Sequence, residues 1–274
     1  MTCSNNKSRL DALLTQRGLA ESRERAKAVI MSGNVYVDGN KATKPGMQIS
    51  DTADIKVLHG LPYVSRGGLK LEKALDFFNI SADGKVCIDC GASTGGFTDC
   101  LLQNGAKLVY AVDVGYGQLA WSLRTDSRVI VMERTNIRNA NPDAFEPKSE
   151  LAVVDLSFIS LALILPVVKN LLTDDGEVLC LIKPQFEAGR EKVGKKGVVR
   201  NSDTHKEILL KFLDDASKAN FVIKGLTHSP IKGPEGNIEF FGFLSLLGDN
   251  NIVDVNNVVE IAHEQLGANT NDKS

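Results

Sequence analysis

The sequence has no apolar stretch long enough to cross a membrane. Its longest apolar run, LALILPVV at residues 161–168, contains Pro166 and is followed by Lys169, whereas a spanning helix needs about 18 apolar residues. The first nine residues, MTCSNNKSR, also lack the apolar segment of a secretory signal. These absences disfavour a membrane protein or a pore-forming toxin, and we expect a cytoplasmic protein.

Cysteine and histidine are scarce among the 274 residues, with five and four copies. Cys87 and Cys90 form a C-x-x-C inside a predicted buried strand, with no second pair and no histidine nearby. Core packing therefore explains them better than metal or redox chemistry. The histidines lie far apart, at positions 59, 205, 228 and 263. The sequence predicts neither a disulfide framework nor a metal site.

The charges nearly balance, with a formal net charge of −2, but they are unevenly distributed. Residues 1–73 hold 12 Lys and Arg against 7 Asp and Glu, whereas the remainder holds 20 against 27. A basic first quarter on an acidic body suggests that this quarter contacts a polyanion. Ordinary variation of surface charge can give the same imbalance, so the motifs must decide.

Helix and hairpin signals follow each other closely within the first 60 residues. Leucines at 10, 13 and 14 have helical spacing, and a second helix is expected between Ser22 and Gly33. The segment VYVDGNKA at 35–42 alternates around an Asp-Gly turn, which predicts a hairpin. A final strand is expected in ADIKVL at 53–58.

This order of two helices and a hairpin resembles the S4-type RNA-binding domain, a small α+β module. The match includes Arg9-Leu10-Asp11, Arg17-Gly18 and the spacing Gly33-x-Val35-x-Val37-x-Gly39. The resemblance implies that one basic face contacts RNA. The candidate residues on that face are Arg9, Arg17, Arg23, Arg25 and Lys27. A solvated, charged helix end is the alternative explanation.

A different period begins beyond a short linker at 61–64, where apolar strands alternate with helical stretches. The predicted strands are KVCID, LVYAVDV, VIVME, LAVVDL and EVLCLIK. Apolar strands separated by helices predict an α/β fold with a doubly wound, Rossmann-like parallel sheet. The last two strands, FVIKGLTHS and IEFFGFLSLL, are joined by a segment too short for a helical crossover, so the last strand should be antiparallel.

A glycine-rich turn, DCGASTGGF at residues 89–97, follows the first of these strands. Ligands of open α/β sheets bind beyond the carboxyl ends of the strands, so this turn predicts a cofactor site. The turn alone fits either a nicotinamide dinucleotide or S-adenosylmethionine, and the antiparallel last strand favours S-adenosylmethionine. The candidate cofactor-binding residues are Asp89, Gly91, Ser93, Gly95, Gly96, Phe97, Asp113 and Asn136.

Polar residues end other strands as well, at Asp155 and Lys183, and Glu239 begins the antiparallel strand. The segments YVSRGGLKL, VVDLSF, LIKPQFE and GPEGNIEFF resemble the haemolysin-A-like (TlyA) family of rRNA 2′-O-methyltransferases, which share the FtsJ-type catalytic fold. The resemblance extends over residues 9 to about 247. It implies methyl transfer from S-adenosylmethionine to a ribose 2′-hydroxyl, on a cytidine of large-subunit rRNA and in some members also of small-subunit rRNA.

The same resemblance implies a catalytic tetrad of Lys70, Asp155, Lys183 and Glu239. A ribose hydroxyl is a poor nucleophile until its proton is leaving, and Lys183 is the candidate base. Lys183 could instead orient the hydroxyl while water takes the proton, and the sequence leaves both roles open. Further RNA contacts are expected at Arg66, Lys195 and Lys196. The alternative for residues 187–201, which contain both lysines, is an ordinary solvated loop.

The sequence thus predicts four segments. They are an S4-type domain at 1–60, a linker at 61–64, a methyltransferase domain at 65–248, and a C-terminal helix with a polar tail at 249–274. The expected partners are rRNA or ribosomal subunits. An RNA-binding protein with an inactive cofactor fold, a haemolysin and a nicotinamide dehydrogenase are the alternatives. The intact tetrad argues against an inactive RNA-binding protein, and the lack of a membrane segment argues against a haemolysin. The antiparallel last strand argues against a dehydrogenase.

Overall fold

The computed structural model describes residues 7–20, 22–31, 35–57, 62–194 and 197–267. The chain divides into two compact units, residues 1–62 and 63–274, and the boundary between them falls inside the predicted linker. Among the described residues, no helix is both long enough and apolar enough to cross a bilayer.

The described residues of the first unit form two short helices and five short strands. They are β1 Lys7–Arg9, α1 Leu10–Gln16, α2 Arg23–Met31, β2 Val35–Val37, β3 Asn40–Ala42, β4 Gln48–Ser50 and β5 Ile55–Val57. The predicted hairpin is confirmed: β2 and β3 pair antiparallel, and the turn residues Asp38 and Gly39 both have positive φ, as a type I′ hairpin turn requires. β5 completes this sheet on the other side of β2, and β1 pairs with β4 in a second small sheet.

A small apolar core holds the first unit together. Leu10 and Leu14 of α1, Ile30 of α2 and Val35 of β2 are fully buried in one cluster. The helical spacing of the leucines, read from the sequence, therefore places them on the inner face of α1.

The second unit is built on one seven-stranded sheet. Its elements are α3 Gly67–Phe78, β6 Val86–Cys90, α4 Gly96–Gln103, β7 Leu108–Val112, α5 Trp121–Arg124, β8 Val129–Met132, β9 Ser149–Val154, α6 Leu165–Leu171, β10 Leu172–Ile182, α7 Pro184–Glu187, α8 Ser202–Lys218, β11 Val222–His228, β12 Phe240–Ser245 and α9 Val255–Gly267. The strand order is β8-β7-β6-β9-β10-β12-β11. The strands β8, β7, β6, β9 and β10 pair parallel, and β12 pairs antiparallel with both β10 and β11. The predicted antiparallel last strand is confirmed.

Helices cover both faces of this sheet, and alternate strand residues serve the two faces. In β6, Val86, Ile88 and Cys90 belong to the apolar cluster that includes Leu209 of α8, whereas Cys87 belongs to the cluster that includes Leu101 of α4. Burial on both faces explains why the strands are continuously apolar in sequence.

The C-terminal helix α9 is part of this unit. Val255, Val259 and Ala262 are buried in the same cluster as α8, and His205 of α8 meets His263 of α9 with 2.9 Å between ring nitrogens. The sequence predicts a C-terminal helix with a polar tail at residues 249–274, and α9 is a helix in that range whose apolar residues recur at helical spacing and pack against α8.

Candidate active site

The carboxyl ends of β6 and β9 lie side by side. From β6 the chain continues to β7 and β8 on one side of the sheet, and from β9 it continues to β10 on the other side, so the order of the strands reverses between β6 and β9. Crevices at such a reversal are the usual ligand sites of open α/β sheets. The glycine-rich turn after β6 and the segment after β9 form the walls of this crevice.

The glycines of the turn are required by close contacts. Gly91 has φ of +97°, and a Cβ there would lie 2.4 Å from the carbonyl oxygen of Asp155. A Cβ on Gly96 would lie 2.2 Å from Ser65 Oγ and 3.0 Å from the backbone nitrogen of Gly68. The turn therefore lies directly between the segment after β9 and the start of α3.

Asp113, at the end of β7, is held by the same turn. Its Oδ2 accepts a hydrogen bond from the backbone N–H of Ser93 at 2.8 Å, and its Oδ1 accepts one from Gly115 at 2.6 Å. Each carboxylate oxygen has further acceptor capacity. Asp113 is thus fixed in orientation and can still accept hydrogen bonds from a ligand hydroxyl.

Two adjoining pockets open along the crevice. The larger has a volume of about 480 Å³ and is lined by four predicted cofactor residues, Gly91, Ser93, Asp113 and Asn136. The smaller, of about 220 Å³, is lined by Arg66 and Lys70 and by Gly96 and Phe97 of the turn. Gly91, Ser93 and Asp155 line both pockets. A ligand that fills both must therefore pass Asp155.

Two predicted cofactor residues lie behind the pocket walls. Asp89 is fully buried, its Oδ2 accepts a hydrogen bond from the Thr98 hydroxyl at 2.7 Å, and its Oδ1 has no partner. Burial raises the pKa of Asp89 to about 7. Gly95 has φ of +96° and faces Leu119 and Leu123. Both residues shape the turn from below and do not line either pocket.

Lys70 and Glu239 form a buried ion pair beside the crevice. Lys70 Nζ donates to Glu239 Oε2 at 2.6 Å, and the side chains are 10% and 1% exposed. Burial raises the pKa of Glu239, and the charge of Lys70 opposes that rise. A Cβ on Gly233 would lie 2.5 Å from Glu239 Oε1, so the loop before β12 passes close to this carboxylate.

Lys183 and Asp155 form a second pair at the ends of β10 and β9. Lys183 Nζ lies 2.6 Å from Asp155 Oδ1 and donates to Ser157 Oγ at 3.0 Å. The four residues of the predicted tetrad thus form two lysine–carboxylate pairs. Ser157 was missed in the sequence analysis, although its place two residues after a strand-end aspartate could have indicated it.

The predicted RNA-binding residues of the first unit are partly engaged within it. Arg9 and Arg23 both contact the buried carboxylate of Asp11, at 2.9 and 3.6 Å, and Arg17 donates to the backbone carbonyls of Asp51 and Ala53. Lys27 is exposed. Lys195, Lys196 and the side chain of Arg25 lie outside the described residues.

Among the described residues, no three His, Cys, Asp or Glu side chains are grouped so as to hold a metal ion. The glycine turn after the first strand, the antiparallel β12 and the strand-end charges define a methyltransferase of the Rossmann-like class.

Family models agree with this class. Residues 63–245 match the FtsJ-like methyltransferase model and residues 8–55 match the S4 domain model. The chain belongs to the FtsJ-like methyltransferase family and carries an S4 domain. The match decides between the two cofactor classes that the glycine turn left open.

Curated relatives and solved structures match along most of the chain. The putative rRNA methyltransferase YqxC of Bacillus subtilis is 52% identical, with 96% of each chain covered. The 16S/23S rRNA (cytidine-2′-O)-methyltransferase TlyA of Mycobacterium tuberculosis is 46% identical over 87% of this chain and 90% of its own. A putative hemolysin from Streptococcus thermophilus superposes with a TM-score of 0.76 at 47% identity, covering 97% of this chain and 99% of that one.

Proposed function

We propose that this chain transfers a methyl group from S-adenosylmethionine to the ribose 2′-hydroxyl of a cytidine in rRNA. The observation that carries the proposal is the ion pair of Lys183 with Asp155, 2.6 Å apart, in which Asp155 lines both pockets and Lys183 lies behind it. The name of the M. tuberculosis relative supplies the substrate, since that protein is 46% identical over 87% of this chain.

The crevice fits the methyl donor. Ligand pockets commonly have volumes of 300–1,000 Å³, and the larger pocket, of about 480 Å³, suits an adenosine group. Asp113 would accept hydrogen bonds from the ribose hydroxyls, and Asn136 lines the same pocket. The smaller pocket suits the methionine part, because Arg66 offers a positive charge to its carboxylate.

When bound, S-adenosylmethionine supplies an electrophilic methyl group on sulfur. The residues of the chain must then orient an acceptor hydroxyl and accommodate its proton. Lys183 is held by Asp155 and Ser157, so its ammonium group has a fixed direction and can steer the acceptor oxygen. As a neutral amine it would accept the proton, and as an ammonium group it would stabilise the developing alkoxide.

The S4 domain is the RNA-binding part of the proposed enzyme. It brings Lys27, Arg23 and Arg9 to the surface, with the two arginines held by Asp11. Positively charged side chains supply most of the sequence-independent affinity for nucleic acid. A ribosomal substrate supports a cytoplasmic location for the proposed reaction.

A direct assay uses S-adenosylmethionine with a trideuterated methyl group and ribosomal subunits from cells that lack the modification. After digestion to nucleosides, mass spectrometry should detect trideuterated 2′-O-methylcytidine. Label on a base, or on the ribose of another nucleoside, would contradict the proposed reaction. Separate incubation of the large and small subunits tells which of them is the substrate.

A further inference from the structure

Glu187 is a buried charged residue that the proposed mechanism does not use. It ends α7, four residues after Lys183, and its side chain is only 7% exposed. Its Oε2 accepts a hydrogen bond from Ser160 Oγ at 2.7 Å, and its Oε1 accepts one from the backbone N–H of Leu161 at 2.8 Å. Burial raises the pKa of Glu187, and these two hydrogen bonds oppose the rise.

These contacts join the segments that carry one tetrad pair. Residues 155–161 follow β9 and begin with Asp155, and residues 183–187 follow β10 and begin with Lys183. At the near end, Lys183 contacts Asp155 and Ser157. At the far end, Glu187 holds Ser160 and Leu161. The two segments are thus fastened to each other at both ends.

The segment between these fastenings contains a strained residue. Phe158 has φ of +64°, which is uncommon for a residue with a bulky side chain. Its ring packs on the ring of Phe186 in α7, with 4.8 Å between centroids. The residue is nevertheless 89% exposed to solvent. Strained backbone persists only where the surroundings fix it, and a side chain that is 89% exposed offers little fixation. The two bonds of Glu187 supply the fixation two residues further on.

We propose that Glu187 is a positioning residue that fixes residues 155–161 against α7, so that Asp155 and Ser157 keep the Lys183 ammonium group in its reactive orientation. An ion pair with Lys211 does not explain the position of Glu187, because Lys211 Nζ lies 3.8 Å from Glu187 and only 2.6 Å from Asp215. The expected effect of Glu187 on kcat rests on the proposed function. The expected effect of Glu187 on the surroundings of Lys183 does not depend on that function.

The test compares Glu187→Ala with a matched control, Glu150→Ala. Glu150 lies at the opposite end of β9, and its Oε2 accepts a hydrogen bond from the backbone N–H of Val86 at 2.9 Å. Both changes remove a carboxylate that binds a backbone N–H group. Glu187→Ala should lower kcat by about 10- to 100-fold, because small misplacements of catalytic groups have effects of that size, with cofactor Kd and the KM for RNA unchanged. Glu150→Ala should leave kcat unchanged.

Glu187→Gln should restore turnover, because its amide can bind both Leu161 and Ser160. A second readout needs no turnover: limiting acetic anhydride followed by peptide mass spectrometry gives the labelling rate of Lys183. That rate should rise in Glu187→Ala and stay at the wild-type value in Glu150→Ala and Glu187→Gln. If Glu187→Ala does not fold, Ser160→Ala removes one of the two bonds and should shift both readouts in the same direction.

Unchanged labelling of Lys183 in the folded Glu187→Ala or Ser160→Ala variant would overturn the proposal. So would an equal loss of kcat in Glu150→Ala. If the wild type methylated no ribose, the proposed function would fail, and the labelling rates would still decide the role of Glu187.

Discussion

Lys70 Nζ and Glu239 Oε2 lie 2.6 Å apart inside the second unit, although 169 residues separate them in sequence. Lys70 belongs to α3, which precedes the first strand of the sheet, and Glu239 directly precedes β12. Buried ion pairs contribute little net stability compared with apolar residues of the same size. The pair is therefore better explained by its place beside the crevice than by a need for stability.

Replacing one member of this pair should still destabilise the protein. Glu239→Ala leaves the ammonium group of Lys70 buried and without its partner, so the free energy of unfolding should fall by about 3–5 kcal/mol. Glu177→Ala is the control, because the Lys85–Glu177 pair has a similar distance of 2.8 Å but is 25% and 28% exposed. That change should cost less than about 1 kcal/mol in urea denaturation. Equal losses in the two variants would show that the Lys70–Glu239 pair is as hydrated as the partly exposed Lys85–Glu177 pair.

Asp113→Ala should weaken the binding of S-adenosylmethionine. Loss of a hydrogen bond to a charged group costs about 1.5–3 kcal/mol, which is roughly a 10- to 100-fold increase in Kd. The variant also releases the backbone N–H groups of Ser93 and Gly115. Calorimetric titration measures the change, with Asp126→Ala as the control, since Asp126 pairs with Arg128 on the surface. An unaltered Kd in a folded Asp113→Ala variant would assign Asp113 a purely structural role.

Asp89 should give the protein a characteristic pH dependence. Its pKa is about 7 in the folded protein because of burial, whereas an unfolded aspartate titrates near 3.9. Between about pH 4 and pH 7 the folded state binds the proton that the unfolded state has lost, so the contribution of Asp89 to stability falls as pH rises. Asp89→Asn removes this titration and leaves those of the histidines in place. The unfolding free energy of wild type minus that of Asp89→Asn should therefore decrease from pH 4 to pH 7, and a constant difference would contradict the burial argument.

Replacing Arg23 and Lys27 together by glutamine should weaken RNA binding and reduce its dependence on salt. Each phosphate contact contributes a slope of about 0.7 to 0.9 in the logarithmic plot of affinity against salt. Arg17 is left intact, because it binds the backbone carbonyls of Asp51 and Ala53. Lys56→Gln is the control in the same unit, since Lys56 is 75% exposed and 4.0 Å from Asp54. If titrations of an rRNA fragment give the wild-type affinity and slope for the double variant, this basic face does not contact RNA.

The sheet could be predicted from the sequence because its strands are buried on both faces and read as continuous apolar runs. The antiparallel β12 followed from one short connection. The small sheet of β1 and β4 was not predicted, because strands of three mostly polar residues carry no period. α9 was recognised as a helix, but nothing local in the sequence indicates that it packs on α8.

The sequence could predict which residues of the candidate site lie at the ends of strands. It could not predict which of their side chains contact each other. Asp155 and Lys183 could be assigned to one rim because parallel strands end at the same edge. That Asp89 lies buried against Thr98, below the turn, depends on how α4 packs, and the turn motif does not encode this. The contacts of Ser157 and Glu187 likewise join residues 26 or more positions apart, so they appear only in the folded chain.

The most direct test of the account is single-turnover methylation by Lys183→Ala, measured together with its Kd for S-adenosylmethionine. Lys183 contacts Asp155 and Ser157 but lines neither of the two pockets assigned to the cofactor, so the variant should bind the cofactor normally and lose about 10²- to 10⁴-fold in rate. Lys218→Ala, at an exposed pair with Asp214 on α8, should keep the wild-type rate. A Lys183→Ala variant that retains more than about a tenth of the wild-type rate would contradict the account, because a positioned acid or base contributes far more than that.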